Sequence, residues 1–178
     1  PDIVSFAKGV TSGYLPLGGI ILSDRVHQAL DQAPMEERYM HAATYSGHPA
    51  CCAVGLANID ILEREALPER AAVVGKKLLD GLETLRSLPV VGDVRGLGMM
   101  CAVELVEDRG SRKPASGLGA RVIAQAEKRG LLTRQRGSGT MGGMISGDTL
   151  ELAPPLMTPE ATIERIVQIV GDSIAAEV

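Results

Sequence analysis

Ile3-Val4-Ser5-Phe6-Ala7-Lys8-Gly9-Val10-Thr11-Ser12-Gly13 runs from an apolar stretch, through a single lysine, into a glycine-bounded turn. The apolar residues predict a strand, and the glycines predict that the chain turns as soon as Lys8 is passed. A lone amine leaving a buried strand at such a turn is poorly hydrated. That favours its neutral form and makes it a usable nucleophile toward a carbonyl carbon, with which it can form a Schiff base. The simpler alternative is a lysine that closes a strand with its charge in solvent, as most lysines do. Taken alone, the segment leaves both open.

A second signal is Thr44-Tyr45-Ser46-Gly47-His48-Pro49, which stands before a helical stretch over residues 50–65. Pro49 suits the first helical position, where its missing N–H costs nothing. The hydroxyls and free backbone N–H groups there can cap the helix or receive an anion.

Together, at this spacing, the Lys8 and Thr44 segments resemble the class III pyridoxal-phosphate aminotransferases. The resemblance continues through Asp93-Val94-Arg95-Gly96-Leu97-Gly98-Met99-Met100-Cys101-Ala102-Val103-Glu104-Leu105, Gly130-Leu131-Leu132-Thr133-Arg134 and Leu152-Ala153-Pro154-Pro155-Leu156. These landmarks stand in the family's order over nearly the whole chain. Ser46-Gly47-His48-Pro49 resembles the omega-amino acid:pyruvate or amine:pyruvate branch. The ornithine and 4-aminobutyrate branches usually carry a Gly-Gly-Asn-Pro loop instead.

The resemblance implies a fold and a site. The fold would be α/β, the C-terminal part of the aspartate-aminotransferase-like (fold type I) pyridoxal-phosphate transferase fold. Residues 1–66 would be the remnant of the large cofactor-binding domain with its connector helix, and residues 67–178 the small C-terminal α/β domain. Lys8 would carry the cofactor as a Schiff base and act as the catalytic amine. Thr44, with the backbone of its loop at Ala43, would bind the cofactor phosphate of the neighbouring subunit in a homodimer. Arg134 would be the mobile arginine that pairs with the carboxylate of the acceptor and swings away for an uncharged amine. Such enzymes are usually more than twice as long. A phosphate loop, a ring that stacks on the cofactor and an Asp on its pyridine nitrogen would all lie upstream of residue 1.

Composition fits a cytoplasmic globular protein. The chain has 178 residues and a net charge of −4, so nothing draws it to nucleic acid or to an anionic membrane. No apolar run is long enough to span a bilayer. Three cysteines, two of them adjacent at Cys51 and Cys52, make no disulfide framework and suit a reducing compartment. Aromatic residues are only 2% of the chain, too few to build a ring-stacking pocket easily, as expected of a site completed elsewhere.

Hydrophobic spacing predicts strands at 3–7 and 18–23, a helix at 24–32 and a long helix from Pro49. From about Leu67 the pattern changes. Val74, Leu78, Leu82 and Leu85 recur at helical spacing within 68–87. Strands are predicted at 90–94 and 99–106, with Arg95-Gly96-Leu97-Gly98 as a turn between them. A helix at 118–129 ends at Gly130. Further strands are expected at 131–135, which would put Arg134 at a strand end, and at 149–152, with a last helix at 159–176. The result is helices layered on a small sheet.

Arg134 has a planar guanidinium suited to a carboxylate, although Arg136 stands two residues away and a long Gly-rich stretch follows. Gly137-x-Gly139-x-x-Gly142 matches a dinucleotide fingerprint only formally, because a strand rather than a helix is expected after it. His48 with Cys51 and Cys52 lacks a second ligand pair at zinc spacing, so no metal is expected. The reading is a transaminase that moves an amino group from an amine or omega-amino acid to an oxo acid such as pyruvate. A truncated chain that serves only association is the alternative.

Overall fold

In the computed structural model, which describes residues 1–137 and 148–178, the strand leading to Lys8 is β1 (Ile3–Phe6). It pairs antiparallel with β2 (Gly19–Leu22), Ile3 facing Leu22 and Phe6 facing Gly19. A 3-10 turn, Lys8–Thr11, begins the connection between them. Then come α1 (Asp24–Asp31), a short 3-10 turn at Met35–Glu37 and α2 (Pro49–Arg64). These elements form one unit, Pro1–Ala66, and Leu67–Val178 forms a second. β1 and β2 are not buried as the sequence suggests: Ile3 is 58% and Ile21 60% exposed. The pair makes a sheet of its own, and two strands cannot cover both of their faces.

The second unit holds α3 (Leu67–Glu83), β3 (Val91–Leu97), β4 (Met100–Asp108), β5 (Lys113–Pro114), α4 (Leu118–Lys128), β6 (Arg134–Gly137), β7 (Asp148–Leu152) and α5 (Glu160–Ala175). Its sheet runs β3-β4-β7-β6, antiparallel throughout, with β5 paired to β4. β4 alternates as a half-buried strand should, with Cys101, Val103 and Leu105 inward. Val74, Leu78 and Leu82 of α3 and Ile163, Val170 and Ile174 of α5 join them in one core. Burial pushes the Cys101 thiol above its ordinary value, and the three cysteines are all free. Among the described residues no helix is long and apolar enough to cross a membrane.

Three expected boundaries move. The helix expected over 68–87 closes at Glu83 and finishes as a 3-10 turn, Thr84–Ser87. Arg95, Gly96 and Leu97 belong to β3 rather than to a turn, because Leu97 pairs with Met100 and leaves only Gly98 and Met99 to reverse the chain. Gly98 has φ 55, which a two-residue hairpin loop requires. Leu131 to Thr133 stay outside β6. The Gly130 and Leu131 N–H groups donate back to Glu127 and Ala126 and close the end of α4, so pairing starts only at Arg134. Arg134 therefore opens its strand rather than ending it.

Candidate active site

Lys8 stands at the exit of β1 with φ 51, in the left-handed region. For a residue with a side chain that conformation costs about 1–2 kcal/mol relative to the right-handed one. The turn is closed by backbone bonds from Val10 to Ala7 and from Ser12 to Gly9, at 3.3 and 3.1 Å. Thr11, 1% exposed, donates its hydroxyl to the Leu15 carbonyl at 2.5 Å. Lys8 lines an open cleft of about 630 Å³ with Ala7, Gly13, Tyr14, Leu15 and Leu17. Three of the other lysines are in ion pairs: Lys76 with Asp80, Lys77 with Glu160 and Lys113 with Glu107. Lys128 bears on Glu177, whose carboxyl is held low chiefly by Gln125. Among the described residues the Lys8 ammonium has no hydrogen-bond or ion-pair partner.

Helix α2 packs on the same turn. A Cβ at Gly55 would stand 2.8 Å from Leu17 Cδ2 and 3.9 Å from the Val10 carbonyl, so helix and turn meet closely there. One helical turn on, Asn58 Nδ2 donates to the Gly9 and Val10 carbonyls at 3.0 and 3.2 Å, and its Oδ1 accepts from Ser12 Oγ at 2.7 Å. Sequence reasoning passed over Asn58. The available signal was a poor helix former in the middle of an otherwise good helix.

The Thr44 loop leads into α2 from the other end. His48 is the N-cap, and it makes no side-chain capping bond. Ser46 folds inward, its Oγ accepting from the Ala43 N–H at 3.1 Å and its N–H donating to the Ala43 carbonyl at 2.9 Å. The Ala43 N–H is thus engaged within the loop. Thr44 is exposed, and its hydroxyl has no partner among the described residues. Neither loop hydroxyl caps α2, so the capping alternative for Thr44 is not realised. Thr44 is not among the residues lining the Lys8 cleft.

Arg134 lies in the second unit, directly across β6 and β7 from Glu151. Its Nε donates to Glu151 Oε2 at 2.8 Å. Both line a cavity of about 630 Å³ walled by Leu131, Leu152, Pro154 and Ile166. The Arg134 side chain is 70% exposed, open enough to change partners. Glu151 is a second residue that sequence reasoning missed, because a cross-strand partner is known only once the register is known. The Arg136 side chain and most of the Gly137-x-Gly139-x-x-Gly142 match lie outside the described residues.

The family described as aminotransferase class-III matches residues 1–174. The chain belongs to the class III aminotransferases. The diaminobutyrate–2-oxoglutarate transaminase of Halomonas elongata is 41% identical over 172 residues, 94% of this chain and 35% of its own. A thermostable (S)-enantioselective omega-transaminase from Thermomicrobium roseum superposes with a TM-score of 0.86 at 40% identity, over 100% of this chain and 38% of that one. An amine transaminase from an uncultivated Pseudomonas species, solved in its PLP-bound (internal aldimine) form, gives 0.88 at 36% identity, over 99% of this chain and 38% of that one. The chain thus spans between 35% and 38% of the length of these relatives. Its fold is the C-terminal part of the fold type I transferases, mixed α/β throughout.

Proposed function

We propose that this chain is the C-terminal portion of a pyridoxal-phosphate-dependent transaminase, with Lys8 as its cofactor lysine. One observation carries the reading. Among the described residues Lys8 makes no ion pair, unlike Lys76, Lys77 and Lys113, and it keeps a strained backbone at the mouth of a cleft. A glycine would satisfy that backbone without strain. A lysine there is explained if its side chain is needed.

The residues present fit pyridoxal phosphate. An unpaired primary amine suits its aldehyde, and the open Thr44 hydroxyl, in the loop that leads into α2, suits its phosphate, bound from the neighbouring subunit of a homodimer. When bound, the cofactor supplies an electron sink that makes the substrate's C–H bond acidic. Lys8 would hold the cofactor through its amine and, as a free amine, would take up the proton that leaves the amine-bearing carbon of the substrate. Arg134, leaving Glu151, takes the carboxylate of the oxo acid acceptor. The Ser46-Gly47-His48-Pro49 loop favours pyruvate as that acceptor. The Halomonas relative supports 2-oxoglutarate as a second reading, and the same arginine serves either α-oxo acid.

The test is borohydride reduction of the full-length enzyme with pyridoxal phosphate, followed by peptide mass mapping. The pyridoxyl mass should fall on Lys8, and Lys8→Ala should abolish turnover. A label confined to Lys76, Lys77, Lys113 or Lys128 would refute the assignment.

A further inference from the structure

Asn58 spends its whole amide on the turn that carries Lys8. Nδ2 reaches the Gly9 and Val10 carbonyls at 3.0 and 3.2 Å, and Oδ1 receives the Ser12 hydroxyl at 2.7 Å. The two carbonyls it grips lie between Lys8 at φ 51 and Ser12 at φ 50, both in the left-handed region. Neither is glycine, so both are strained, and such a conformation persists only where its surroundings over-determine it. Asparagine disfavours a helix interior, so α2 on its own account has no use for it. Gly55, one turn earlier on the same helical face, brings the backbones close enough for a side chain as short as asparagine to span them.

We propose that Asn58 is a positioning residue for Lys8: it locks the left-handed turn and so sets the direction in which the lysine leaves the backbone. The proposal rests on the reading of Lys8 as the cofactor lysine. Asn58 does not touch the reacting atoms. If it were lost, Lys8 could relax to an unstrained backbone, and its Cα–Cβ bond would turn away from the cleft. A reactive amine misdirected by about an ångström loses on the order of a hundredfold in rate.

Lys8 and Lys128 provide an internal comparison in the full-length protein. Apoprotein is mixed with pyridoxal phosphate and quenched with borohydride at intervals, and the label at each lysine is followed by peptide mass. In Asn58→Leu, which keeps the size and removes every polar contact, the Lys8 rate should fall by about tenfold or more while the Lys128 rate is unchanged. Asn58→Asp should be at least as slow, because a carboxylate would face the Gly9 and Val10 carbonyls. Ser12→Ala, which removes one bond and leaves two, should slow Lys8 by about threefold. An unchanged Lys8 rate in Asn58→Leu, or equal slowing at Lys8 and Lys128, overturns the proposal. Should the Asn58 variants fail to fold, Ser12→Ala decides, and an unchanged Lys8 rate there overturns it equally. A wild-type protein unlabelled at Lys8 instead overturns the cofactor-lysine reading itself.

Discussion

Arg134 has only its Nε engaged with Glu151, and the two terminal nitrogens of the guanidinium make no bond among the described residues. A carboxylate can therefore approach the open fork before the internal pair is broken. Arg134→Ala should weaken an oxo acid acceptor by about 1.5–3 kcal/mol, the size of a charged hydrogen bond. An uncharged arylalkyl amine donor should be affected far less. Steady-state KM values for both substrates check this, and equal losses would assign Arg134 a structural role. Lys8, Thr44 and Arg134 could be singled out from sequence as candidates because each stands inside a recognisable motif. Asn58 and Glu151 were not. Each acts on a partner that only helix phase or strand register brings near, and neither quantity is written in local sequence.

Among the elements, α3 and β4 were read correctly in kind because their apolar residues follow one period each. The ends were read less well, because they depend on hydrogen bonds that periodicity does not see, such as the pair from Gly130 and Leu131 that delays β6. The contact of α3 with the β3–β4 hairpin was not legible at all. A Cβ at Gly75 would stand 2.1 Å from the Gly98 carbonyl oxygen, a backbone atom fixed in a tight turn. Helix propensity alone would make Gly75→Ala stabilising by about 1 kcal/mol. Packing should reverse the sign and destabilise by about 1–3 kcal/mol. Urea denaturation separates the two, since a higher midpoint in the variant would mean that the hairpin yields.

For the molecule as a whole, the division of labour is uneven. Every fully buried apolar side chain lies at or beyond Leu67, whereas Ile3, Val4, Phe6, Ile20 and Ile21 of the first unit stay exposed. The second unit thus has a core of its own, and the first, which holds Lys8 and Thr44, has none. Residues 1–178 expressed alone should aggregate through the β1–β2 pair and bind pyridoxal phosphate weakly. Size-exclusion chromatography and a cofactor titration check both points. A monomer with a saturable micromolar site would show that the first unit is self-sufficient. That unit also keeps its two chemical ends on a single rod. α2 starts at the Thr44 loop and grips the Lys8 turn at Asn58. Each residue added to a helix advances it by 1.5 Å and rotates it by about 100°. An insertion or deletion between Pro49 and Asn58 would therefore swing the amide off the turn, however helical the replacement sequence. Over that interval the chain is held to its length, and in composition it is held where α2 meets the turn, at Gly55.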